Sequence, residues 1–542
     1  MLGNLDWFVI GLYFVLVFGV AIWATTREKG TRETSAGYFL AGRNAGWFII
    51  GASLFASNIG SEHLVGLAGT GADSGVAVGQ FEVLACLILL LLGWVFVPFY
   101  VKSGVYTMPE FLERRYSPAS RWYLAAVSVL GYVLTKISVT IAAGGIVFQS
   151  LMGVDFWTGA LIVVIATGIY TVFGGLRAVL YTDLLQAFVL IGGSATVTLI
   201  GLAELGGWGA LRSAVPAGFF DIWKPASDPD FPWTGILLGA PILGVWYWCT
   251  DQYIVQRVLS ARGIDDARRG SLFGGFLKLL PLFLFVVPGV IATALAGSGR
   301  IALGRSDEAL PVLIGALLPV GLKGVVVAGL LAALMSSLSS VFNSCSTLIT
   351  WDLYKKLRPD TPEKRLVLVG QISTIFLVVL GILWIPLMRN ISGQLYKYLQ
   401  SVQAYIAPPI AAVFLVGVFW RRANARGAIV TLLTGFLLGA ARLVTELNAD
   451  RLGGPLLRYA RINFLHFAFY LFLVCGAVLV LVSLATAAPE RRRLAGLTFA
   501  TAAEGEGSLG LRASHPARRR RDLAWSVVLV AAVAAIWIYF RG

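Results

Sequence analysis

Long apolar runs separated by short polar segments follow one another along almost the whole chain. Because about 17 to 25 apolar residues suffice for a helix to cross a bilayer, the pattern predicts an all-α polytopic membrane protein with 14 transmembrane helices. We expect these helices near residues 5–25, 45–68, 77–101, 119–151, 155–174, 178–203, 234–258, 271–297, 319–356, 364–390, 395–420, 425–447, 461–487 and 523–540.

Basic residues concentrate in every second loop between these helices. Arg27, Lys102, Arg177, Arg262 and Lys355 belong to such loops, whereas the intervening loops hold few basic residues or carry offsetting acids. Basic loops of membrane proteins face the cytoplasm, so both termini are expected to be extracytoplasmic. The same rule explains the net charge of +15. Nucleic acid is not expected as a partner, because the charges form no single face.

Composition agrees with a multi-pass protein of the cell (plasma or inner) membrane. Of the 542 residues, 58% are hydrophobic and only 13% are charged, which is far from the usage of soluble domains. The lipid bilayer is therefore an expected partner, and the oligomeric state stays open. The absence of a HExxH motif and of a soluble catalytic segment argues against an enzyme.

Two of the apolar runs contain polar interruptions. The stretch "ASNIGSEHL" holds Asn58 and the helix-weakening Gly60, and "GAPILGVWYWCTDQ" holds Pro241 and Asp251. A membrane helix breaks only where the gap is buried in protein or lines a wet cavity. The two interruptions lie five helices apart, which is typical of transporters built from inverted repeats with a site at the midplane.

These features predict a domain organisation in seven segments. The expected segments are an extra N-terminal helix with the first cytoplasmic loop (1–44), a first inverted five-helix repeat (45–203), an extracellular loop (204–233), a second inverted repeat (234–420), accessory helices (421–487), a flexible basic cytoplasmic linker (488–522) and a final helix (523–542).

A candidate cation site combines the ninth helix with the first interruption. In "AALMSSLSS", Ala333, Ser336 and Ser337 recur on one helical face. Hard cations such as sodium prefer oxygen ligands, which the two hydroxyls and the carbonyls freed near Ala56 and Ile59 would supply. Close helix packing also favours small residues such as serine, and from the serines alone packing is the favoured interpretation.

Ionisable side chains inside other spans indicate a binding site for a neutral polyol. Charged groups at membrane depth are costly and usually functional. Glu82 and Lys278 are expected either to form a buried pair or to reach water near helix ends. Further hydrogen-bond donors and acceptors and an aromatic face come from Asn58, His63, Trp248 and Gln400.

Six blocks of sequence resemble one transporter family. They are "FASNIGSEHLVGLAGTGADSGVAVGQFE" (55–82), "WVFVPFYVKSGVYTMPEFLERRY" (94–116), "GGLRAVLYTDLLQ" (174–186), "WYWCTDQYIVQRVLSA" (246–261), "LMSSLSSVFNSCSTLITWDLY" (334–354) and "LQSVQAYIAPPIAAVFLVGVFW" (399–420). In this order they are similar to the solute:sodium symporters, specifically the sodium/glucose and sodium/myo-inositol cotransporters. The resemblance implies a LeuT-like fold with one helix before a ten-helix core and three after it.

The resemblance also implies roles for individual residues. The implied sodium ligands are the carbonyls of Ala56, Ile59 and Ala333 and the hydroxyls of Ser336 and Ser337. The implied substrate residues are Asn58, His63, Glu82, Trp248, Lys278 and Gln400, and the implied gates are Leu67, Phe81, Tyr247 and Tyr396. Asp183 in "YTD" matches an acidic position linked to ion coupling, although an acid near a helix start is also favoured by the macrodipole.

The sequence therefore predicts a sodium-coupled symporter of a neutral sugar, either a hexose or myo-inositol, that works by alternating access. Alternative functions are sodium symport of another small solute and sensing of sugar or sodium without transport. Substrate identity is the least determined feature. Val83 and Leu84 stand where the sugar cotransporters commonly have Trp-Asn, Tyr396 stands where Phe is usual, and "GSEH" is closer to the inositol carriers.

Overall fold

Helices account for nearly all the regular structure of the protein. The computed structural model describes residues 2–26, 34–388, 395–501 and 516–541, and no β-strand occurs among them. Ten helices in this part of the chain are long and apolar enough to cross a membrane. The predicted all-α membrane protein is confirmed, whereas the predicted count of 14 spans is not.

The α-helices are numbered in chain order. The first thirteen are α1 (Asn4–Thr26), α2 (Ser35–Leu40), α3 (Trp47–Asn58), α4 (Ser61–Ser74), α5 (Gln80–Leu91), α6 (Val97–Ser103), α7 (Met108–Arg115), α8 (Pro118–Tyr132), α9 (Ser138–Val147), α10 (Phe156–Leu205), α11 (Trp208–Ala214), α12 (Trp233–Leu238) and α13 (Ala240–Gly244). The others are α14 (Gln252–Leu259), α15 (Ile264–Leu277), α16 (Val287–Gly297), α17 (Ala309–Leu317), α18 (Leu322–Thr347), α19 (Lys355–Leu357), α20 (Glu363–Met388), α21 (Leu395–Phe419), α22 (Ala425–Leu447), α23 (Gly454–Ala460), α24 (Phe464–Ala485) and α25 (Pro516–Tyr539).

The first predicted interruption separates α3 from α4. Both Ile59 and Gly60 have extended backbone conformations. The Gly60 amide donates to the Asn58 carbonyl at 3.0 Å, rather than to Ala56, its partner in a continuous helix. The Ala56 carbonyl is thereby released from the helical ladder, and the prediction of a break at this stretch is confirmed.

The second predicted interruption lies at Asp251. Helix α13 continues into a π-helical segment, Val245–Thr250, and Asp251 is extended before α14 begins. The Asp251 carboxylate accepts a 3.2 Å hydrogen bond from the Tyr253 amide and so caps the start of α14. The prediction of a break at this stretch is also confirmed. Aspartate is among the short polar residues that favour such a capping position.

Helices α10 and α18 form the centre of the molecule. In the apolar part of the span that contains α18, 94% of the residues are buried, against 28% for α1 and 22% for α25. Helix α10 bends at Gly175, where φ is +57°, a conformation that favours glycine. The bend divides α10 at the boundary predicted between the spans at 155–174 and 178–203.

The predicted cytoplasmic linker at 488–522 falls partly outside the described residues. Arg491–Leu494 and Phe499–Thr501 form short 3-10 turns, and residues 502–515 are not described. Helix α25 begins at Pro516, before the predicted start of the final helix at 523, and therefore includes the last residues of the predicted linker.

Candidate functional site

A narrow cavity lies where the two interrupted helices meet. Its volume is about 60 Å³, which leaves room for a few water molecules. The residues that line it include all six predicted substrate residues and three of the four predicted gates: Asn58, His63, Glu82, Trp248, Lys278, Gln400, Phe81, Tyr247 and Tyr396. Side chains that are distant in sequence are therefore brought to one place.

Of the two alternatives for Glu82 and Lys278, the structure shows the buried pair. The Lys278 ammonium contacts the Glu82 carboxylate and donates a 2.5 Å hydrogen bond to the Asn58 side-chain oxygen. Lys278 Nζ also lies 5.5 Å from the centre of the Trp248 ring. The two charged side chains are 1% and 3% exposed. Pairing, and not contact with water at a helix end, therefore compensates their charges.

A second ion pair occurs at the same cavity, and our interpretation of the sequence missed it. Lys136 Nζ lies 3.0 Å from Glu62 Oε1 and donates a 3.3 Å hydrogen bond to the Tyr247 hydroxyl. The same hydroxyl accepts a 3.0 Å hydrogen bond from Asn58 Nδ2. Lys136 stands inside the apolar run "GYVLTKISVT", so the rule that singled out Lys278 applies equally to it.

Aromatic side chains cluster beside the cavity. The Tyr396 ring meets Phe81 and His63 edge to face, each at 6.0 Å between ring centres. Phe81 also packs against Phe231 at 6.1 Å, and such contacts exclude water over a large area. Leu67, the fourth predicted gate, is fully buried and is not among the residues that line the cavity.

The predicted cation ligands are all buried around the first interruption. The Ser337 hydroxyl donates a 3.2 Å hydrogen bond to the Ser57 carbonyl, so α18 touches the end of α3. Ala333 lies one turn before Ser336 on the same helix. The five predicted ligands are each at most 1% exposed: Ala56, Ile59, Ala333, Ser336 and Ser337.

Asp183 joins these residues through hydroxyl groups. Its Oδ1 accepts a 2.6 Å hydrogen bond from Ser336. Its Oδ2 accepts hydrogen bonds from Ser53 at 2.6 Å and from Ser57 at 2.9 Å. Asp183 lies two turns beyond the bend in α10, whereas the macrodipole acts over the first turn of a helix. Hydrogen bonds from serines, and not the helix start, therefore surround this carboxylate.

Arg257 connects the second interrupted helix to this network, and our interpretation of the sequence missed it as well. Its Nε donates a 3.1 Å hydrogen bond to the Ser57 hydroxyl, and its other nitrogens contact the Ser340 hydroxyl and the Tyr253 carbonyl. Arg257 Nη2 lies 3.9 Å from Asp183 Oδ2, and both side chains are 0% exposed. A single guanidinium thereby joins the elements on both sides of the predicted cation site.

Comparison with known proteins agrees with this architecture. The model of the sodium:solute symporter family matches residues 38–435. The sodium/myo-inositol cotransporter of Homo sapiens is 40% identical over 545 aligned residues, which cover 92% of this chain and 76% of the relative. The sodium/glucose cotransporter 1 of Oryctolagus cuniculus is 41% identical over 523 residues, which cover 88% of this chain and 78% of the relative.

A solved structure shares the fold. It is a Na⁺-coupled sialic acid symporter in a substrate-bound, outward-open state, with a TM-score of 0.77 and 20% sequence identity. The likeness covers 90% of this chain and 99% of that one. The family match extends over well more than half of the sequence and includes both interrupted helices. This chain therefore belongs to the sodium:solute symporter family.

Proposed function

We propose that this chain is a sodium-coupled symporter of a neutral sugar or cyclic polyol and that it works by alternating access. The observation that carries the proposal is the buried polar cavity at two interrupted helices, next to buried hydroxyl and carbonyl oxygens. Secondary transporters bind substrates and coupling ions at such interruptions. The relatives named for sodium/glucose and sodium/myo-inositol cotransport support the same function.

The charges of the cavity favour a ligand without net charge. Glu82 balances Lys278, and Glu62 balances Lys136, so a charged ligand would find no unbalanced partner among these four residues. A hydroxyl group of the ligand both donates to a carboxylate and accepts from an ammonium. Ligand hydroxyls can therefore replace the contacts that these side chains make with one another. The other groups proposed to contact the ligand are Asn58, His63, Trp248 and Gln400, with Phe81, Tyr247 and Tyr396 as gates.

Sodium is the proposed coupling ion. A serine hydroxyl that donates its hydrogen to Asp183 keeps its oxygen lone pairs for a cation, and the carboxylate adds negative charge beside it. The proposed ligands are the carbonyls of Ala56, Ile59 and Ala333 and the hydroxyls of Ser336 and Ser337. Sodium bound here would stabilise one conformation of the interruption and so change the affinity for the second ligand.

The proposed topology has fourteen spans and extracytoplasmic termini. Inverted five-helix repeats are proposed over 45–203 and 234–420, because each of these ranges contains one interrupted helix near its beginning. The orientation is tested by the accessibility, from each side of the membrane, of single cysteines introduced at the exposed positions Asn4 and Arg541. The background for these variants lacks the four native cysteines: Cys86, Cys249, Cys345 and Cys475.

Uptake into proteoliposomes tests the function. Purified protein is supplied with labelled glucose or myo-inositol under an inward gradient of sodium, potassium or choline. We expect accumulation above equilibrium only with sodium. Equal accumulation under the three gradients would show that sodium is not coupled, and binding without accumulation would favour the sensor alternative.

Substitution of Glu82 and Gln400 tests the proposed substrate contacts. Loss of a hydrogen-bond partner costs about 1 to 3 kcal/mol when the remaining group is buried, which corresponds to an apparent affinity weaker by about five- to hundredfold. We expect this for Glu82→Ala and Gln400→Ala at saturating sodium. Arg300→Gln, in an exposed pair with Glu204 at 3.1 Å, is the control. Wild-type affinity in both cavity variants would show that the contacts are misplaced.

A further inference from the structure

A second cavity lies between the beginnings of α15 and α25, apart from the cavity at the interrupted helices. Its volume is about 590 Å³, which is in the range of small-molecule sites. Residues of α15 and α25 form its walls, together with Trp47 at the start of α3. No residue lines both cavities, so the proposed transport of a polyol gives this second cavity no role.

Charged and apolar side chains follow one another along both helical walls of this second cavity. On α15, Arg269 is followed by Phe273 and Phe276, and on α25, Arg521 is followed by Trp525. Residues three or four positions apart lie on the same face of a helix. All five residues stand in the first half of a membrane span. The arginines are therefore near the membrane boundary, and the aromatic residues lie deeper.

The deeper part of the cavity has an aromatic wall. The rings of Phe276 and Trp525 meet edge to face at 5.8 Å between their centres, and those of Trp47 and Phe273 do so at 5.5 Å. Both tryptophans keep exposed surface, 40% of Trp47 and 52% of Trp525. Tryptophan is enriched where lipid headgroups meet acyl chains. The wall is therefore suited to the upper part of an acyl chain.

The boundary end of the cavity has an excess of positive charge. The first two turns of α15 and α25 hold six arginines and three aspartates: Arg268, Arg269, Arg518, Arg519, Arg520 and Arg521, with Asp265, Asp266 and Asp522. Three positive charges are therefore left without an acid in these turns. Arg521 lines the cavity and forms no ion pair or hydrogen bond with the described residues.

Arg269 has donors to spare at the same place. Its Nε donates a 2.9 Å hydrogen bond to the Asp522 carboxylate, whereas its Nη2 is buried and has no hydrogen-bond partner among the described residues. A buried donor without a partner is costly, and a guanidinium presents its donors in a fork that matches the oxygens of a phosphate. Asp522 therefore acts as a positioning residue that orients Arg269 and leaves one side of its guanidinium for a ligand.

We propose that this second cavity binds one phospholipid with an anionic headgroup. Arg269 and Arg521 bind the phosphate, and an acyl chain packs against Phe273, Phe276 and Trp525. The excess positive charge favours an anionic headgroup over a zwitterionic one, which would bring a cation to the arginines. In the proposed topology the cavity faces the cytoplasmic leaflet, where basic pockets between membrane helices bind anionic lipids.

Lipid binding to the purified full-length chain in detergent tests the headgroup site. Native mass spectrometry gives the apparent dissociation constants of dioleoyl phosphatidylglycerol and of dioleoyl phosphatidylcholine, which has the same acyl chains. We expect wild type to bind phosphatidylglycerol more tightly. Arg521→Gln should weaken that binding about fivefold, because one arginine near an anionic headgroup contributes about this factor. Arg521 is exposed, so its replacement should not prevent folding.

Arg520→Gln is the matched control. It removes the same charge from the same run of arginines, but Arg520 is not among the residues that line the cavity. We expect this variant to bind both lipids as wild type does. Equal losses in Arg520→Gln and Arg521→Gln would show that the run attracts lipid through its total charge and has no site, which overturns the inference. A wild type without preference for phosphatidylglycerol would overturn it as well.

A second pair of variants tests the position of the acyl chain. Trp525→Ala should weaken the binding of both lipids by the same factor, because their chains are identical. Leu523→Ala is the control, since Leu523 is also exposed on α25 but does not line the cavity. Unchanged binding of both lipids in Trp525→Ala would place the chains elsewhere and overturn the inference.

The same spectra distinguish a lipid from other occupants of the cavity. We expect inorganic phosphate at an equal concentration to leave phosphatidylglycerol bound, because it lacks the contacts of the acyl chain. Displacement of the lipid by phosphate would show a site for a free anion and overturn the inference. A dimer that excludes phosphatidylglycerol would assign the cavity to a second copy of the chain and would also overturn it.

Discussion

The serines of α18 allow the proposed cation site to be distinguished from helix packing. Ser336→Ala and Ser337→Ala remove a hydroxyl and keep a small side chain, which serves close helix contacts about as well. Ser339→Ala is a matched control on the same helix, because the Ser339 hydroxyl donates to the Ser336 carbonyl of its own helix at 3.0 Å. All three serines are at most 1% exposed, so differences in burial do not confuse the comparison.

The structure predicts different magnitudes for the two substitutions. Ser336 donates to the Asp183 carboxylate at 2.6 Å, and a buried hydrogen bond to a charged group contributes about 1.5 to 3 kcal/mol. Ser337 donates to a neutral carbonyl at 3.2 Å, where about 0.5 to 1.5 kcal/mol is typical. The sodium concentration for half-maximal uptake should rise about ten- to hundredfold in Ser336→Ala and about two- to tenfold in Ser337→Ala.

The assay is sodium-dependent uptake in proteoliposomes with equal amounts of each variant. By reciprocal linkage, the weaker substrate affinity of Ser336→Ala should recover at high sodium. Ser339→Ala should keep the wild-type sodium dependence. If Ser336→Ala and Ser337→Ala also keep it, the hydroxyls do not bind sodium and packing explains the serines. A reversed order of the two effects would show that the hydrogen bond to Asp183 does not determine the contribution of Ser336.

Two further predictions concern stability. Burial raises the pKa of Glu113, but hydrogen bonds from Lys356 and Arg121 outweigh it and leave this pKa below its ordinary value. Its ionised form therefore stabilises the fold above about pH 4.3, and this contribution disappears as the pH falls below that value. Glu113→Gln should lower the melting temperature at pH 7 and flatten its decline in acid. Gly175→Ala should destabilise the protein by at least about 1 to 2 kcal/mol, because φ is +57° and a backbone carbonyl oxygen lies 2.6 Å from the position of the added Cβ. Gly192→Ala is the control in the same melting experiment. No atom lies within 4 Å of its added Cβ, so this variant should be neutral or stabilising.

The interruptions of the helices were predictable because their causes are local. Gly60 and the polar residues around it weaken the helix wherever the chain is placed, and Asp251 caps the helix that follows it by bonding to an amide two residues away. Hydropathy alone also identifies the membrane class. Neither the helix breaks nor the hydropathy depends on which helices are neighbours in the fold, so both could be predicted from the sequence.

The partners of buried charges were not predictable in the same way. Glu82 and Lys278 are recognisable as a candidate pair because both stand inside apolar runs, and the structure joins them. Lys136 satisfies the same criterion, although our interpretation of the sequence did not include it. The partners of Arg257 outside its own helix, by contrast, come from α3, α10 and α18, and no pattern within its own helix identifies them. Distant contacts of this kind depend on the packing of the whole fold.

The proposed coupling between ion and substrate has a short physical route in this fold. Ser57 and Asn58 are adjacent, yet they belong to different networks: Ser57 bonds to Asp183 and accepts from Ser337, whereas Asn58 bonds to Lys278 and Tyr247. A helix that continued through this point would hold both residues in one fixed ladder. Because α3 ends here, we expect a change in the proposed ion network to shift the peptide that carries Asn58. In the proposed symport, sodium orders the network of Ser57 and therefore lowers the free-energy cost of ordering the network of Asn58 around the substrate. The substrate in turn favours sodium binding by the same free energy.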